Sequence, residues 1–597
     1  MKKRVADIIV DILIENGITD CFSVVGGGAM HLNNAFVEAK DRIRTIYQHH
    51  EQACAMAAEG YARLTGRMAA VCVTSGPGGT NAINGVQGAW VDSIPMVVIS
   101  GHPRYETTVA YTGLDIRTRG VQENNIIEQV KGITKYAKLM NDASEIKSEL
   151  EKAIKIAMEG RRGPVWLDIP LNIQGMLVEE NELTPYVFDN EENQDITVQL
   201  KEMIKLLEIS KRPCILTGSG IRAGNVEKEY TSFIQLFDIP IVGGALQADI
   251  NYNHQKNYYG MSGSIGPRCG NFILQSADLI IVLGNSLSFK QTGFNQEEFA
   301  PNAKIIMIDA QADESKKPGL HIDLHIVTDL KNFFRSVQQK NIQVKAKEEW
   351  IAHCDCLKKE FPAYEMLVRH GEINEEERVP ALLFWQKIME RVEKDAIIAL
   401  GNSNCILGVL QEGVDSPQQR VLVNYNCGSM GHDLPESIGA AIGGGRTVYC
   451  VTGDGSFMMN MQELQTIVYY RLPVKIVLFN NEGYGAIRAT CSNFFHGVYT
   501  GCDAESGISF PDFEKISHAF EIAYHRCDCV GQLKNSIEWL LKQPGNCILE
   551  VYEMIDEIRG PRIESKMDGN GCFITPPLHD MSPFLEEEEI QKLLGQY

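Results

Sequence analysis

No run in the 597 residues approaches the ~18 uncharged apolar residues needed to span a bilayer, so a helical membrane protein is not expected. Basic residues are in deficit, 56 Lys and Arg against 77 Asp and Glu for a net charge of −21. Nucleic acid and anionic membrane surfaces are therefore not expected partners. No short-period repeat is visible, which argues against solenoids and propellers. With 44% apolar and 22% charged residues, the composition fits neither a disordered nor a fibrous chain. The sixteen cysteines have no spaced framework and read as reduced intracellular thiols. Two C-x-C pairs, Cys354/Cys356 beside His353 and Cys527/Cys529 beside His525, are spaced more tightly than structural zinc sites and read as packing. The N-terminus begins with basic residues, but Asp7, Asp11 and Glu15 interrupt its apolar pattern, so it reads as an amphipathic helix of a cytoplasmic protein.

Glycine-bounded apolar runs followed by helical patterns recur instead: AAVCVTSGPGG, IPMVVISGHP, PVWLDIP, CILTGSG, LIIVLGNS, KIIMIDA, AIIALGN, TVYCVTGDG and VKIVLFNN. They predict buried parallel strands feeding helices, an α/β class of three doubly wound parallel-sheet domains. Linkers are expected where charge replaces the apolar pattern, at 181–195 and from about 339 to 377. The expected domains are residues 1–180, 191–340 and 375–555, with a tail at 556–597 that ends in an acidic stretch. The first and third domains follow the same strand, glycine turn, helix scheme, and ligands of such units sit at the carboxyl ends of the strands.

The strongest local signal is Gly453-Asp454-Gly455-Ser456 after the strand TVYCV, with Asn480-Asn481 closing the next strand, KIVLF. Asp454 and Asn481 are 27 residues apart, the length of a strand-helix-strand unit that returns to the same sheet edge. An Asp carboxylate, an Asn carbonyl oxygen and a backbone carbonyl near Gly483 are hard oxygen donors that suit magnesium and leave room for diphosphate oxygens and water. A GDG tripeptide alone is an ordinary turn; the spaced NN sets this one apart.

This pairing, with HHEQACAMAAEGYAR, TSGPGGTNAINGVQGAWVDSIPMVVISG, GPVWLDIP and GSMGHDLPESIGAAIG, resembles the thiamine diphosphate enzymes of the acetolactate synthase type over nearly the whole chain. The resemblance implies a pyrimidine-binding, a central and a diphosphate-binding domain, with thiamine diphosphate and Mg2+ as cofactors. It implies that Glu51 hydrogen-bonds the cofactor's pyrimidine ring and promotes loss of the thiazolium proton. His50, Gln122 and Gly28 are implied at the reaction centre. Gly453, Asp454, Gly455, Ser456, Asn481, Gly483, Tyr484, Met430 and Gly428 are implied to bind cofactor, Met430 by propping it into its bent shape. Asp454, Asn481 and Gly483 are the implied metal ligands. His31 and His49 are further candidates for proton transfer. Because the family's two cofactor halves come from different chains, a homodimer or homotetramer follows.

The chain departs from the family in places. The stretch after NN reads AIRATCSNFF, without the tryptophan that shapes the acceptor pocket. The position of the family's FAD-contacting arginine falls near Ser286 in LGNSLSF, which has no arginine, and GSGIRAG (218–224) spaces its third glycine one residue beyond the dinucleotide fingerprint. Both count against FAD, although the family can hold it in its own manner, so FAD is left open. The tail motif HDMSPFL and VVGGGAMHLNNAF more closely resemble enzymes that add an acetyl unit to a nucleotide-linked keto sugar. The expected activity is decarboxylation of a 2-oxo acid, pyruvate foremost, with acyl transfer to a carbonyl acceptor. A second 2-oxo acid is slightly favoured over a keto sugar, and simple decarboxylation is the remaining enzymatic alternative.

Overall fold

The computed structural model describes residues 2–188, 194–244, 248–555, 557–567 and 573–595. The expected boundaries at 191 and 556, and part of the first expected linker, lie outside the described residues.

Three six-stranded sheets form the frame, with every pairing inside them parallel. The first holds β1 (Asp20–Ser23), β2 (Arg44–Tyr47), β3 (Ala70–Val73), β4 (Val97–His102), β5 (Tyr136–Leu139) and β6 (Val165–Pro170). The central sheet holds β7 (Pro213–Thr217), β8 (Ile241–Gly243), β9 (Tyr258–Met261), β10 (Leu279–Leu283), β11 (Lys304–Asp309) and β12 (Leu324–Val327). The third holds β13 (Ile397–Leu400), β14 (Arg420–Val423), β15 (Val448–Gly453), β16 (Val474–Asn480), β17 (Ala523–Cys527) and β18 (Cys547–Tyr552). Inner strands such as AVCV, LIIVL and VKIVLFN are buried along their whole length, as sheets covered on both faces require.

The first and third sheets share one order, β2-β1-β3-β4-β6-β5 and β14-β13-β15-β16-β18-β17. The central sheet differs, β9-β8-β7-β10-β11-β12, and reverses between β7 and β10. That reversal opens a crevice at the carboxyl edge.

The helices that position the site are α1 (Glu51–Thr65), α2 (Pro77–Val91), α3 (Arg268–Ser276), α4 (Asn404–Glu412), α5 (Asp433–Gly444), α6 (Asp454–Asn460) and α7 (Gly485–Phe494). Helix α1 of the first unit packs on α5 of the third, and one continuous apolar core runs through both sheets. The helices approach so closely that a Cβ on Gly439 would sit 1.8 Å from the Ala57 carbonyl oxygen, and one on Gly60 2.3 Å from that of Glu436.

The same interface buries charge. Arg63 bonds Glu59 and Asp92, each at 2.5 Å, while His432 Nε2 and Asn424 Nδ2 reach Glu59 at 3.0 Å. Burial disfavours every charge here, but the Coulombic pull of His432 and Arg63 outweighs it and holds Glu59 down to about 2. Burial is likewise outweighed at His432, which Glu59 and Glu436 raise to about 10.

Two expectations change. The charged stretch read as a linker forms helices at Glu348–Glu360 and Glu365–His370. Trp350, Cys354, Leu357 and Phe361 of this stretch enter the central core, and its charges lie outward except Glu365, which is buried against Arg268. The tail motif HDMSPFL docks on α3. Arg268 donates to the carbonyls of Met581 at 2.9 Å and Pro583 at 2.6 Å, and to Glu365 at 3.1 Å, while Asn271 donates to the Leu578 carbonyl at 3.0 Å. The motif therefore straps the tail to the central unit.

His432 sits well above its ordinary 6.5 in the fold, so its stabilisation is full below pH 6.5 and lost as pH rises toward 10. The charged groups facing it are Glu59 and Arg63 of α1 and Glu436 of α5. The thermal stability advantage of the wild type over His432→Gln should be largest near pH 6 and shrink toward pH 10. An advantage independent of pH would contradict this account.

Candidate functional site

Apolar residues fill the strands, and chemistry begins one residue past their carboxyl ends. In the third sheet Gly453 of β15 lies opposite Phe479 of β16, so Asp454 emerges level with Asn480, the neighbour of Asn481. Asp454 is buried; its Oδ1 accepts from the Gly455 N–H at 2.6 Å and its Oδ2 from the Gly483 N–H at 3.0 Å. Burial nevertheless pushes the carboxyl up to about 6 against those two amides. Asn481 donates through Nδ2 to Glu553 at 2.7 Å, while its Oδ1 is buried without a partner. A buried carboxylate beside an unsatisfied amide oxygen is a donor set suited to a hard divalent cation.

The backbone at Gly455 is packed by side chains. A Cβ there would lie 2.1 Å from the Tyr484 ring and 3.2 Å from Met430 Cε, so these three expected residues meet. Ser456 Oγ donates to Asp433 at 2.8 Å and accepts from the Gly431 N–H at 2.7 Å, tying α6 to the loop that holds Met430. Gly428 in that loop has φ +64°, and its carbonyl accepts from Asn402 at 3.0 Å. At Gly483 the N–H is committed to Asp454, and Arg488 donates to the Asn481 carbonyl at 2.8 Å.

The other expected residues gather at the carboxyl edge of the first sheet. Glu51 opens α1 and is 9% exposed, with Oε2 accepting from Asn81 of α2 at 3.0 Å. His50 caps α1, its Nδ1 accepting from the Gln52 N–H at 3.2 Å. The Gly28 N–H donates to Thr74 Oγ1 at 3.1 Å, and its carbonyl accepts from Gln174 at 2.8 Å. Gln122 is exposed with φ +54°, and its carbonyl oxygen would lie 2.8 Å from a Cβ on Gly76. His49 is exposed, and a Cβ on Gly175 would lie 2.8 Å from His31 Nε2. The predicted residues thus form two groups on two sheets.

Asn81, Asn404 and Glu553 were not singled out by sequence reasoning. Asn81 lies in the GTN of a quoted motif, whereas Glu553 reaches Asn481 only through the β16–β18 register.

A third feature is a cavity of about 650 Å³ at the carboxyl ends of β7, β10, β11 and β12, at the point where the strand order reverses. Gly220, Ser286, Asp309, Arg161, Arg162 and Lys331 are among its walls. Among the described residues, no group of three or more His, Cys, Asp or Glu is arranged to hold a metal, and no helix is long and apolar enough to cross a membrane.

Residues 3–130 match the thiamine pyrophosphate enzyme N-terminal TPP binding domain, 200–337 its central domain and 407–551 its C-terminal TPP binding domain. Acetolactate synthase 1, chloroplastic, of Oryza sativa subsp. japonica is 30% identical over 591 residues, covering 95% of this chain and 88% of that protein. The acetolactate synthase isozyme 2 large subunit of Escherichia coli (strain K12) is 29% identical over 563 residues, covering 93% and 96%. Matched in all three sheets and over nearly its full length, the chain belongs to the thiamine pyrophosphate enzymes, of the acetolactate synthase type.

Proposed function

We propose that the protein is a transferase, a thiamine diphosphate and Mg2+ dependent carboligase that decarboxylates pyruvate and passes the acyl unit to a carbonyl acceptor, a second 2-oxo acid. The observation that carries this reading is the unpartnered Asn481 Oδ1 near the buried Asp454 carboxylate, two hard oxygen donors of the kind a divalent cation takes. The names of the relatives, acetolactate synthases, support the substrate class.

Asp454, Asn481 and a carbonyl at Gly483 would hold Mg2+, and the backbone from Gly453 to Ser456 would approach the diphosphate. Met430, Tyr484 and Gly428 would line the cofactor's path. The cofactor, when bound, supplies the electron sink that decarboxylation requires. Glu51 holds and moves a proton at the pyrimidine end, with Asn81 fixing its Oε2. Gly28, Gln122 and His50 border that edge. The domains are taken as those expected from the sequence, with the central one extended through the helices Glu348–Glu360 and Glu365–His370, since Trp350, Cys354, Leu357 and Phe361 pack into its core.

In this reading a second copy completes each site, as the family resemblance implies, with Glu51 at the first sheet of one chain facing Asp454 at the third sheet of the other. Exposed apolar side chains near both edges, Val25 and Val121 on one and Met459, Ile487, Phe494 and Phe495 on the other, support a surface covered in a homodimer or homotetramer. The cavity of the central unit is where FAD would lie; the proposed reaction transfers no net electrons, so its role would be structural. The described cysteines are free thiols, most of them buried, which supports a reducing, cytoplasmic compartment. The tail motif docks on α3 through its Met581 and Pro583 carbonyls, and its likeness to keto-sugar enzymes keeps a keto sugar as the alternative acceptor.

Purified protein given thiamine diphosphate, Mg2+ and labelled pyruvate should release labelled carbon dioxide and form acetolactate from pyruvate alone. Release that depends on an added nucleotide keto sugar would reassign the acceptor, and free aldehyde would mark a simple decarboxylase. No release with any acceptor would overturn pyruvate as donor. Glu51→Gln should lower turnover by about 10²–10⁴-fold with an unchanged circular dichroism spectrum; a variant with normal turnover would remove Glu51 from the reaction.

A further inference from the structure

The third sheet places beside the cation site a carboxylate that has no role in the reading above. β16 and β18 pair with Asn480 opposite Tyr552, and the Glu553 N–H donates to the Asn480 carbonyl at 2.9 Å. The ladder thus continues one residue past both strands and sets Glu553 beside Asn481. Glu553 is 1% exposed. Each of its oxygens is committed: Oε1 accepts from Asn404 of α4 at 2.7 Å, and Oε2 from Asn481 Nδ2 at 2.7 Å.

An amide has a donor end and an acceptor end. With Nδ2 turned to Glu553, Asn481 directs Oδ1 the opposite way, and that oxygen is the buried one without a partner. If the amide were turned over, Oδ1 would face a carboxylate and Nδ2 would face the cation, so both contacts would become repulsive. Arg488 does not compete for the side chain, because it donates to the Asn481 backbone carbonyl.

We propose that Glu553 is a positioning residue for the cation site: by accepting from Asn481 Nδ2 it fixes which end of the amide faces the ion, and Asn404 holds the carboxylate in place. This rests on reading Asp454 and Asn481 as Mg2+ ligands. Outer-shell partners of metal ligands typically account for about 10–100-fold in affinity. A buried carboxylate that merely satisfied two amides would instead affect folding stability and leave metal affinity alone.

The test is a calorimetric Mg2+ titration of the full-length protein at saturating thiamine diphosphate, with thermal melts of the metal-free proteins as the folding check. Glu553→Leu, which removes both acceptor oxygens at similar volume, should weaken apparent Mg2+ affinity about 10–100-fold, with turnover recovering as Mg2+ is raised. Glu553→Gln keeps an acceptor oxygen for Asn481 Nδ2, with its NH2 turned to the Asn404 amide oxygen, and should retain most of the affinity. Should Glu553→Leu not fold, Asn404→Ala frees the carboxylate from its second anchor and should weaken Mg2+ severalfold. Wild-type affinity in Glu553→Leu or Asn404→Ala, or a loss in Glu553→Gln as large as that in Glu553→Leu, would overturn the proposal. A wild-type protein that takes up neither Mg2+ nor thiamine diphosphate would instead overturn the metal reading itself.

Discussion

The parallel register of β15, β16 and β18 is the constraint on which the rest of the site depends. Parallel strands buried on both faces must be apolar along their length, so polar chemistry can appear only where the strands end. β16 and β18 end level, Asn480 opposite Tyr552, and β15 ends one residue earlier, Gly453 opposite Phe479. Asp454, Asn481 and Glu553 each follow the last residue of their strand, so a shift in either pairing would move them apart. The apolar sequence VKIVLFN thus fixes the spacing of groups it does not contain.

The second constraint is the α1–α5 contact. Helix α1 carries Glu51 at its first residue and Glu59 and Arg63 further along. The latter two are buried in the ion network with His432 and Glu436. Replacing one partner of such a network leaves an uncompensated buried charge, so the helix has little freedom to slide. Its start, where His50 caps the first turn and Asn81 bonds Glu51, is held by the same packing that joins the first and third sheets. Stability of the interface and placement of the Glu51 carboxyl are properties of one rigid element.

Much of this was legible in the sequence. The buried strands announced themselves as apolar runs between glycines, and Asp454 and Asn481 as a motif whose spacing matches one strand-helix-strand unit. Glu553 was not legible, because its role comes from strands paired across more than 70 residues of chain (Asn480 with Tyr552). The burial of Glu59 and Glu436 was not legible either, because it comes from the face-to-face packing of α1 on α5. The stretch at 339–377 misled because its charges mask the apolar face built on Trp350, Cys354 and Leu357. HDMSPFL carries a likeness to enzymes of one substrate class; its docking, through the Met581 and Pro583 carbonyls held by Arg268, was not legible because Arg268 lies more than 300 residues away in sequence.

The central claim is that two half-sites on two sheets, one around Glu51 and one around Asp454, act together across a pair of chains. Co-expression of differently tagged Glu51→Gln and Asp454→Ala chains, followed by purification through both tags, tests it most directly. Each variant alone should be inactive, while a hybrid dimer should hold one intact site and show about half of wild-type turnover per dimer. Inactive hybrids, or either variant active alone, would contradict the account.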